Sequence, residues 1–495
     1  MKNTPFCIKA VLFDFDGTLI KPDTLNFKPN PGAEELILYL RSKDLRIGII
    51  STNRLQDIER TIENFETISL SDFDLIISRD GSIKTKHGAD WILLAAHNLS
   101  VDVKEVLVVG DYTFYGQAGK SAGAVTVCLD TRGESGASVV ESDYTISHLE
   151  KLKKIVRMGL PLGAGKLPND ILEEFLNQFD FDDPSVLIHP GIGEDTTAVN
   201  VAEEEVLVLK SDPITFVTDS IGHYAVLINA NDIATSGATP RWLLTTLLFP
   251  CGITASGIWH VMNELKEMCH QWDITLCGGH TEITDAVTRP VVTGMLTGTV
   301  AKSDLIDKRN MAQGDMILFT KAVAVEGTAI IALELEDRLK DLGILESEIE
   351  ECKLFLSSIS ILEEAKMARC SEGVSALHDV TEGGLATALE ELSSAGRHRI
   401  RIHMDRIPIF PQTKKLCRLL DIHPLGLIGS GSLLICCRKK YYESLMRMIY
   451  EAGIDVTCIG EVLVEGQGID AVEQNDPVEW PYFEVDEIAR LFNPD

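Results

Sequence analysis

A parallel α/β domain followed by a larger α+β module is the architecture this sequence predicts, on three observations. Through the first third, short apolar runs alternate with helical patterns. Near residue 155 the alternation lapses into a basic, Gly/Pro-rich stretch. Beyond it, longer strands and helices resume, and 495 residues exceed the ~250–300 at which single cores stop growing.

In the first third, Ala10 to Phe15, Arg46 to Ser51 and Val106 to Val109 read as buried strands. Gly32 to Ser42, Asp57 to Asn64 and Asp90 to Asn98 read as the helices between them. Strands separated by helices of this length predict a parallel sheet, whose ligand site lies at the carboxyl ends of the strands. The stretch "SHLEKLKKIVRMGLPLGAGKLP" is a short basic helix running into a junction, and "GAGKLP" lacks the spacing of a phosphate-binding P-loop, so it reads as a linker. Past it, Val206 to Lys210 and Val291 to Thr299 are strands, and Ala225 to Ser236 and Ile258 to Gln271 are helices. A second junction falls at Lys302 to Gln313, before the strand "MILFT", and the acidic stretch Leu335 to Cys352 reads as a solvated helical insertion. The expected domains are 1–150, a linker 151–166, 167–305, 306–470, and a tail 471–495.

Composition narrows the function classes. Seventy-five acidic against 45 basic residues give a net charge of −30, which repels a phosphate backbone and argues against nucleic acid as partner. The 11 cysteines include no Cys-x-x-Cys pair, so they read as reduced thiols of a cytoplasmic protein. No apolar stretch is long enough to cross a bilayer, and no leader is expected before the first strand.

"AVLFDFDGTL" sets Asp14 and Asp16 just past a buried strand. Two carboxylates at this spacing suit a nucleophile toward phosphorus and an acid for the leaving oxygen. "RIGIISTN" ends in Thr52 and Asn53, which suit phosphate oxygens; Lys84 and Lys86 precede the helix at Asp90; "VLVVGD" ends in Asp111, a hard ligand for Mg²⁺. Over residues ~8–135 this order resembles the haloacid dehalogenase superfamily of phosphatases. The resemblance implies Asp14 as nucleophile, Asp16 as general acid/base, Thr52 on phosphate, Lys86 (with Lys84 as the alternative) as the neutralising lysine, and Asp14, Asp16 and Asp111 around the metal. Tyr115 stands where that family usually has a second metal-site aspartate, and the short gaps leave no room for a cap domain.

The second part concentrates acidic motifs at strand ends. "HPGIGEDTTAV" carries Asp195, "VLKSDPIT" carries Lys210 and Asp212, "NANDIATSGATP" carries Asn231 and Asp232, and "CGGHTEITDAVTRP" carries Gly278, Gly279, His280 and Glu282. Polyphosphate with Mg²⁺ requires such carboxylates to converge. Together with "HDVTEGGLATALEEL" and "PLGLIGSGSLLI", they resemble the family of aminoimidazole ribonucleotide synthetase, selenophosphate synthetase, thiamine-monophosphate kinase and HypE, over residues ~160–465. That resemblance, nearest to the HypE-like members, implies ATP and Mg²⁺ as cofactors. It implies Asp195, Asp212 and Asp232 around the metal and phosphates, with Lys210, Asn231, Gly278, Gly279 and Glu282 nearby. From the second domain it implies Asp379, Gly429, Ser430 and Gly431, and it implies a homodimer built through the first ATP-domain sheet. His223 and His378 stay open between packing and catalysis.

Two departures restrict the reading. No cysteine follows Cys458, so carbamoyl dehydration through a terminal cysteine is not expected; none lies between residues 155 and 200, so selenide activation is not expected either. The function expected is ATP-dependent phosphorylation of an oxygen of a small substrate, fused to a phosphatase. The alternatives are a phosphomonoesterase with a nucleotide-sensing module, and a maturation scaffold that binds a protein client.

Overall fold

The computed structural model describes residues 4–21, 28–80, 88–111, 113–130, 142–163, 165–180, 182–188, 198–214 and 220–492. They divide into two compact units, the first comprising residues 1–175 with 248–263 and 282–289, the second the remainder.

In the first unit six strands, β1 (Ala10–Asp14), β2 (Arg46–Ile50), β3 (Leu75–Ile77), β4 (Val106–Gly110), β5 (Val125–Leu129) and β6 (Tyr144–Ile146), form one sheet in the order β3-β2-β1-β4-β5-β6. Every pairing is parallel, as the alternating pattern predicts. β1, β4 and β5 are buried along their whole length, the signature of a sheet covered on both faces. Helix α1 (Ala33–Arg41) shows how it is covered: Ala33, Leu36, Ile37 and Leu40 recur at helical spacing and are all buried. The strand order reverses between β1 and β4, so the crevice at their carboxyl ends is the topological switch point. Asp14 ends one of these strands and Asp111 follows the other.

The compact unit runs past the expected boundary near 150. Helix α2 (Leu152–Met158) is followed by Gly159, whose carbonyl accepts from Ile8 N at 2.9 Å at the amino end of the sheet. Helix α3 (Asn169–Leu176) contributes Phe175, 5.0 Å from the ring of Trp259. Ser256 Oγ accepts from Phe6 N and donates to Phe6 O. "GAGKLP" is a strand edge rather than a free linker, for Gly165–Lys166 pairs antiparallel with Ile283 and Glu282. Local composition reads its glycines as punctuation; the pairing is set by a segment over 110 residues away.

Two larger sheets follow along the chain, beside a two-stranded pairing of Val186–Ile188 with Ala198–Val199. The long strands β7 (Glu205–Ile214) and β10 (Val291–Ala301) pair antiparallel over ten residues. In the sheet order they are followed by β8 (Thr239–Pro250) and β9 (Thr275–Thr284). Helix α4 (Ile221–Thr235) is buried on nearly every side and packs against β7 and β10. The other face of the pair is open, leaving Leu207, Leu209 and Met295 exposed.

The second sheet has seven strands in the order β12-β14-β11-β15-β13-β16-β17. In chain order they are β11 (Met316–Thr320), β12 (Val374–Asp379), β13 (His398–His403), β14 (Leu433–Cys437), β15 (Val456–Glu465), β16 (Ile469–Glu473) and β17 (Asp476–Pro477). The tail expected from 471 is therefore part of this sheet, and Asp486 accepts from Gly383 N, Ile428 N and Ile488 N to fasten its last segment. Among the helices, α5 (Val325–Glu334) and α6 (Leu362–Arg369) bear on the site below. The acidic insertion is helical over Glu336–Asp341 and Glu346–Lys353, but Leu339, Ile349 and Cys352 are buried, so only one face is solvated.

Two candidate active sites

The first site lies at the switch point. Asp14 is buried, and its Oδ1 accepts from Phe15 N at 2.8 Å. Asp16 accepts a 2.8 Å hydrogen bond at Oδ2 from Asn53 Nδ2. Burial holds the Asp16 carboxyl above its ordinary range, with the Asn53 bond opposing it. A raised carboxyl suits a proton donor. Gly17 turns the chain with φ of 80°, and a Cβ there would fall 1.9 Å from Asp111 Oδ2. The carboxylate of Asp111 thus rests against the backbone just beyond Asp16, an approach only glycine permits. Thr52, expected on phosphate, is exposed; the buried hydroxyl at this strand end is Ser51, whose Oγ accepts from Asn53 N. Lys84 and Lys86 lie outside the described residues, as does the side chain of Tyr115.

The second site is built from three segments of the second unit. Lys210 Nζ stands 2.9 Å from Asp212 Oδ2 and 3.0 Å from Asp232 Oδ2, joining β7 to α4. Burial disfavours the ammonium, but its bonds to Asp212 and Asp232 outweigh this and raise its pKa. Asp232 titrates well above the carboxylate range, chiefly through burial and then through the Asp379 carboxylate; Lys210 opposes the rise. Asp379, at the end of β12, is buried and likewise raised by burial, with Lys308 and Lys210 pulling it back.

Beneath this cluster lies a residue the motif reading passed over. Asn229 is fully buried; its Oδ1 accepts from Asp212 N at 2.9 Å and its Nδ2 donates to Ala225 O at 2.9 Å. It grips the backbone of Asp212 directly opposite Gly294, where a Cβ would fall 2.7 Å from Asn229 Nδ2. The sequence signal for it is a buried-helix asparagine two residues before Asn231, flanked by the apolar run Ala225–Ile228.

The remaining expected residues divide. Asn231, expected beside nucleotide, commits its carboxamide to the backbone, donating to Ile359 O at 2.8 Å and accepting from Ile361 N at 3.0 Å. It is a pin between α4 and the segment entering α6, because its neighbours on a buried helix leave it no path to solvent. Gly278 has φ of 155° and Gly279 lies so near β8 that a Cβ would fall 2.2 Å from Thr245 O. His280 is exposed and Glu282 half-buried, opposite Lys166 in the strand pairing. Ser430 N donates to Glu326 Oε2 at 3.1 Å, and Gly431 O accepts from Lys321 Nζ at 2.7 Å; Gly429 passes close to Val380. Burial pushes the Glu326 carboxyl up to about 7. His223 and His378 are both depressed by burial, and His378 Nε2 lies 3.1 Å from Glu391 Oε2. Asp195 lies outside the described residues.

Burial raises the Asp232 and Asp379 carboxyls, and the Asp379 charge adds to the rise at Asp232, so a cation beside them would relieve both. Among the described residues, no three His, Cys, Asp or Glu side chains converge at metal-binding distances, and Lys210 supplies the positive charge between Asp212 and Asp232.

A parallel sheet with paired carboxylates at its switch point, followed by two sheets around a lysine-bridged acidic cluster, defines a two-part protein. Residues 21–129 match the haloacid dehalogenase-like hydrolase family, residues 193–300 the N-terminal domain of AIR synthase related proteins, and residues 312–472 their C-terminal domain. The chain carries a haloacid dehalogenase-like domain followed by both AIR synthase related domains. More particularly, it is similar to a hydrogenase expression/formation protein of Methanocaldococcus jannaschii, 25% identical over 57% of this chain and 84% of that protein. It is also 25% identical to the carbamoyl dehydratase HypE of Escherichia coli, over 52% of this chain and 74% of the relative. A solved structure of the hydrogenase maturation protein HypE in complex with ATP superposes with a TM-score of 0.54 at 19% identity, covering 66% of this chain and 97% of that one, a likeness of fold.

Proposed function

We propose that the AIR synthase related module is an ATP-dependent phosphoryl-transfer enzyme that activates an oxygen of a small substrate, and that the N-terminal domain is a phosphohydrolase acting on a phosphorylated compound. The observation that carries the first part is the Lys210-centred cluster: Asp212, Asp232 and Asp379 come from three separate segments to one half-buried, negatively loaded spot. Related proteins use ATP, one with the nucleotide bound. Mg²⁺ would be held by Asp212 and Asp232, with Asp195 as a further ligand, and would neutralise phosphate charge there. Lys210 is poised to pass from its carboxylates to a phosphate oxygen, and Asp379 to hold a proton at its carboxyl.

In the N-terminal domain, Asp14 would attack phosphorus and Asp16 would deliver its proton to the leaving oxygen, the Asn53 bond fixing the carboxyl's orientation. Asp111 would complete the metal site with Asp14 and Asp16. Cytoplasmic residence is consistent with eleven cysteines free of disulfides, and among the described residues no helix is long and apolar enough to cross a membrane.

A homodimer through the first AIR synthase related sheet is supported by Leu207 and Leu209, which share one face of β7 and are 47% and 60% exposed. Light scattering of Leu209→Arg should report half the mass of the unsubstituted protein; equal masses would remove this interface from the reading. The function is tested by phosphate release from ATP with Mg²⁺, with and without a pool of candidate small-molecule acceptors. Stimulation by an acceptor, lost in Asp232→Asn, supports the transfer reading. Turnover indifferent to Asp232→Asn would refute it.

A further inference from the structure

The first unit carries a hollow that neither active site uses. It has a volume of about 780 Å³, within the ~300–1,000 Å³ usual for small-molecule sites. It opens between the end of α1, the basic helix α2 and the first turns of α3. Lys43, Lys153, Lys154 and Arg157 line it around Tyr39, and only Glu150 and Glu174 supply opposite charge. In a chain of net charge −30 this concentration of cations is against the trend of the surface.

Two of these cations, Lys43 and Lys153, are not consumed by ion pairing among the described residues. Glu174 is taken by Lys154 at 2.9 Å. Lys43 and Lys153 make no ion pair among the described residues; their ammonium groups both rest 5.7 Å from the centroid of the one Tyr39 ring. Two like charges at one ring repel, and an anion between them would relieve both. Met158 and Ile171 give the hollow an apolar floor. It lies at the amino end of the sheet, where Gly159 bonds Ile8, whereas Asp14 is six residues further along the same extended chain, about 20 Å away at ~3.3 Å per residue.

We infer that this hollow is a binding site for a small phosphorylated or similarly anionic molecule with an apolar body, separate from the hydrolase site. The anionic group sits among Lys43, Lys153 and Arg157, and the body covers Tyr39 and the apolar floor.

The test is calorimetric titration of the full chain with 1-naphthylphosphonate in EDTA, which removes metal-dependent binding at Asp14. One saturable event per chain is expected, weakened about tenfold or more by Lys153→Gln with Arg157→Gln and by Tyr39→Leu, and unchanged by Asp14→Asn or Asp232→Asn. Because these lysine and arginine head groups are solvent-facing, the double variant should keep the melting temperature and phosphatase rate of the parent. Binding that survives the double variant, or that disappears in Asp14→Asn, would overturn the inference. A glutamate-rich peptide that binds this site while the phosphonate does not would also overturn it, assigning the hollow to a protein partner.

Discussion

The two candidate sites are assembled in opposite ways. At the switch point, Asp14, Asp16 and Gly17 are almost consecutive, and neighbouring strand ends bring Asn53 and Asp111 to them. In the second unit, Lys210, Asp232 and Asp379 span about 170 residues and meet through packing of α4 and β12. A site made from one turn survives as a local motif. A site made from three segments depends on what holds the segments, here buried amides such as Asn229, and its energetics are those of carboxylates forced together.

The sharpest way to break the comparison is to separate the activities. Asp14→Asn should lower phosphomonoester hydrolysis ~10³-fold or more while leaving ATP turnover intact, and Asp232→Asn should do the reverse, in parallel steady-state assays. If either substitution silences both reactions, the sites are one functional unit and the contrast collapses.

The next effect concerns scaffolding. Asn229→Leu removes the partners of Asp212 N and Ala225 O and should cost ~2–4 kcal/mol in denaturant unfolding, with loss of ATP turnover. A variant that loses turnover at full stability would show that Asn229 acts on the reaction rather than on the fold.

Glu326 supplies a pH test confined to the second unit. Its folded pKa of about 7 lies above its ordinary 4.5, so the folded state binds the proton more tightly. Its contribution to stability is present below 4.5 and is lost as pH rises toward 7. Glu326→Gln should therefore stabilise the protein at pH 8 by on the order of 1–3 kcal/mol, with the difference vanishing near pH 4, measured by thermal melts. A gain of equal size at both pH values would mean that burial of this carboxyl is not the cause.

The smallest effect sharpens the first site. Asn53→Ala removes the bond that opposes burial at Asp16, so the pH at which hydrolysis falls off on the alkaline side should move up. A downward shift would show that Asp16 is not the acid.

These differences explain what was legible beforehand. The Asp14–Asp16 turn follows from a pattern within ten residues and the parallel sheet from alternation along the first third, so both could be read directly. Lys210, Asp212, Asp232 and Asp379 were legible only as parts of a resemblance, since nothing in their local spacing says that β7, α4 and β12 converge. Asn231 could not be assigned from sequence: adjacent positions on a helix point about 100° apart, and the motif does not say which of Asn231 and Asp232 faces inward. Ser51 and Thr52 pose the same difficulty, because successive residues at a strand end turn to opposite sides. The Gly165–Lys166 pairing was hidden for a different reason, its partner being supplied from far along the chain.

The adjacency of Asn231 and Asp232 has a mechanical side. One peptide unit ties the acidic cluster, through Lys210, to a carboxamide clamped on the backbone of Ile359 and Ile361. On the reading proposed above, a phosphate that drew Lys210 away from Asp232 would be felt within one residue at the entrance of α6, which would make that entrance a strain gauge for the nucleotide. The Ile361 amide, whose acceptor is Asn231 itself, is the needle: its hydrogen-exchange rate should read occupancy of a site it never touches.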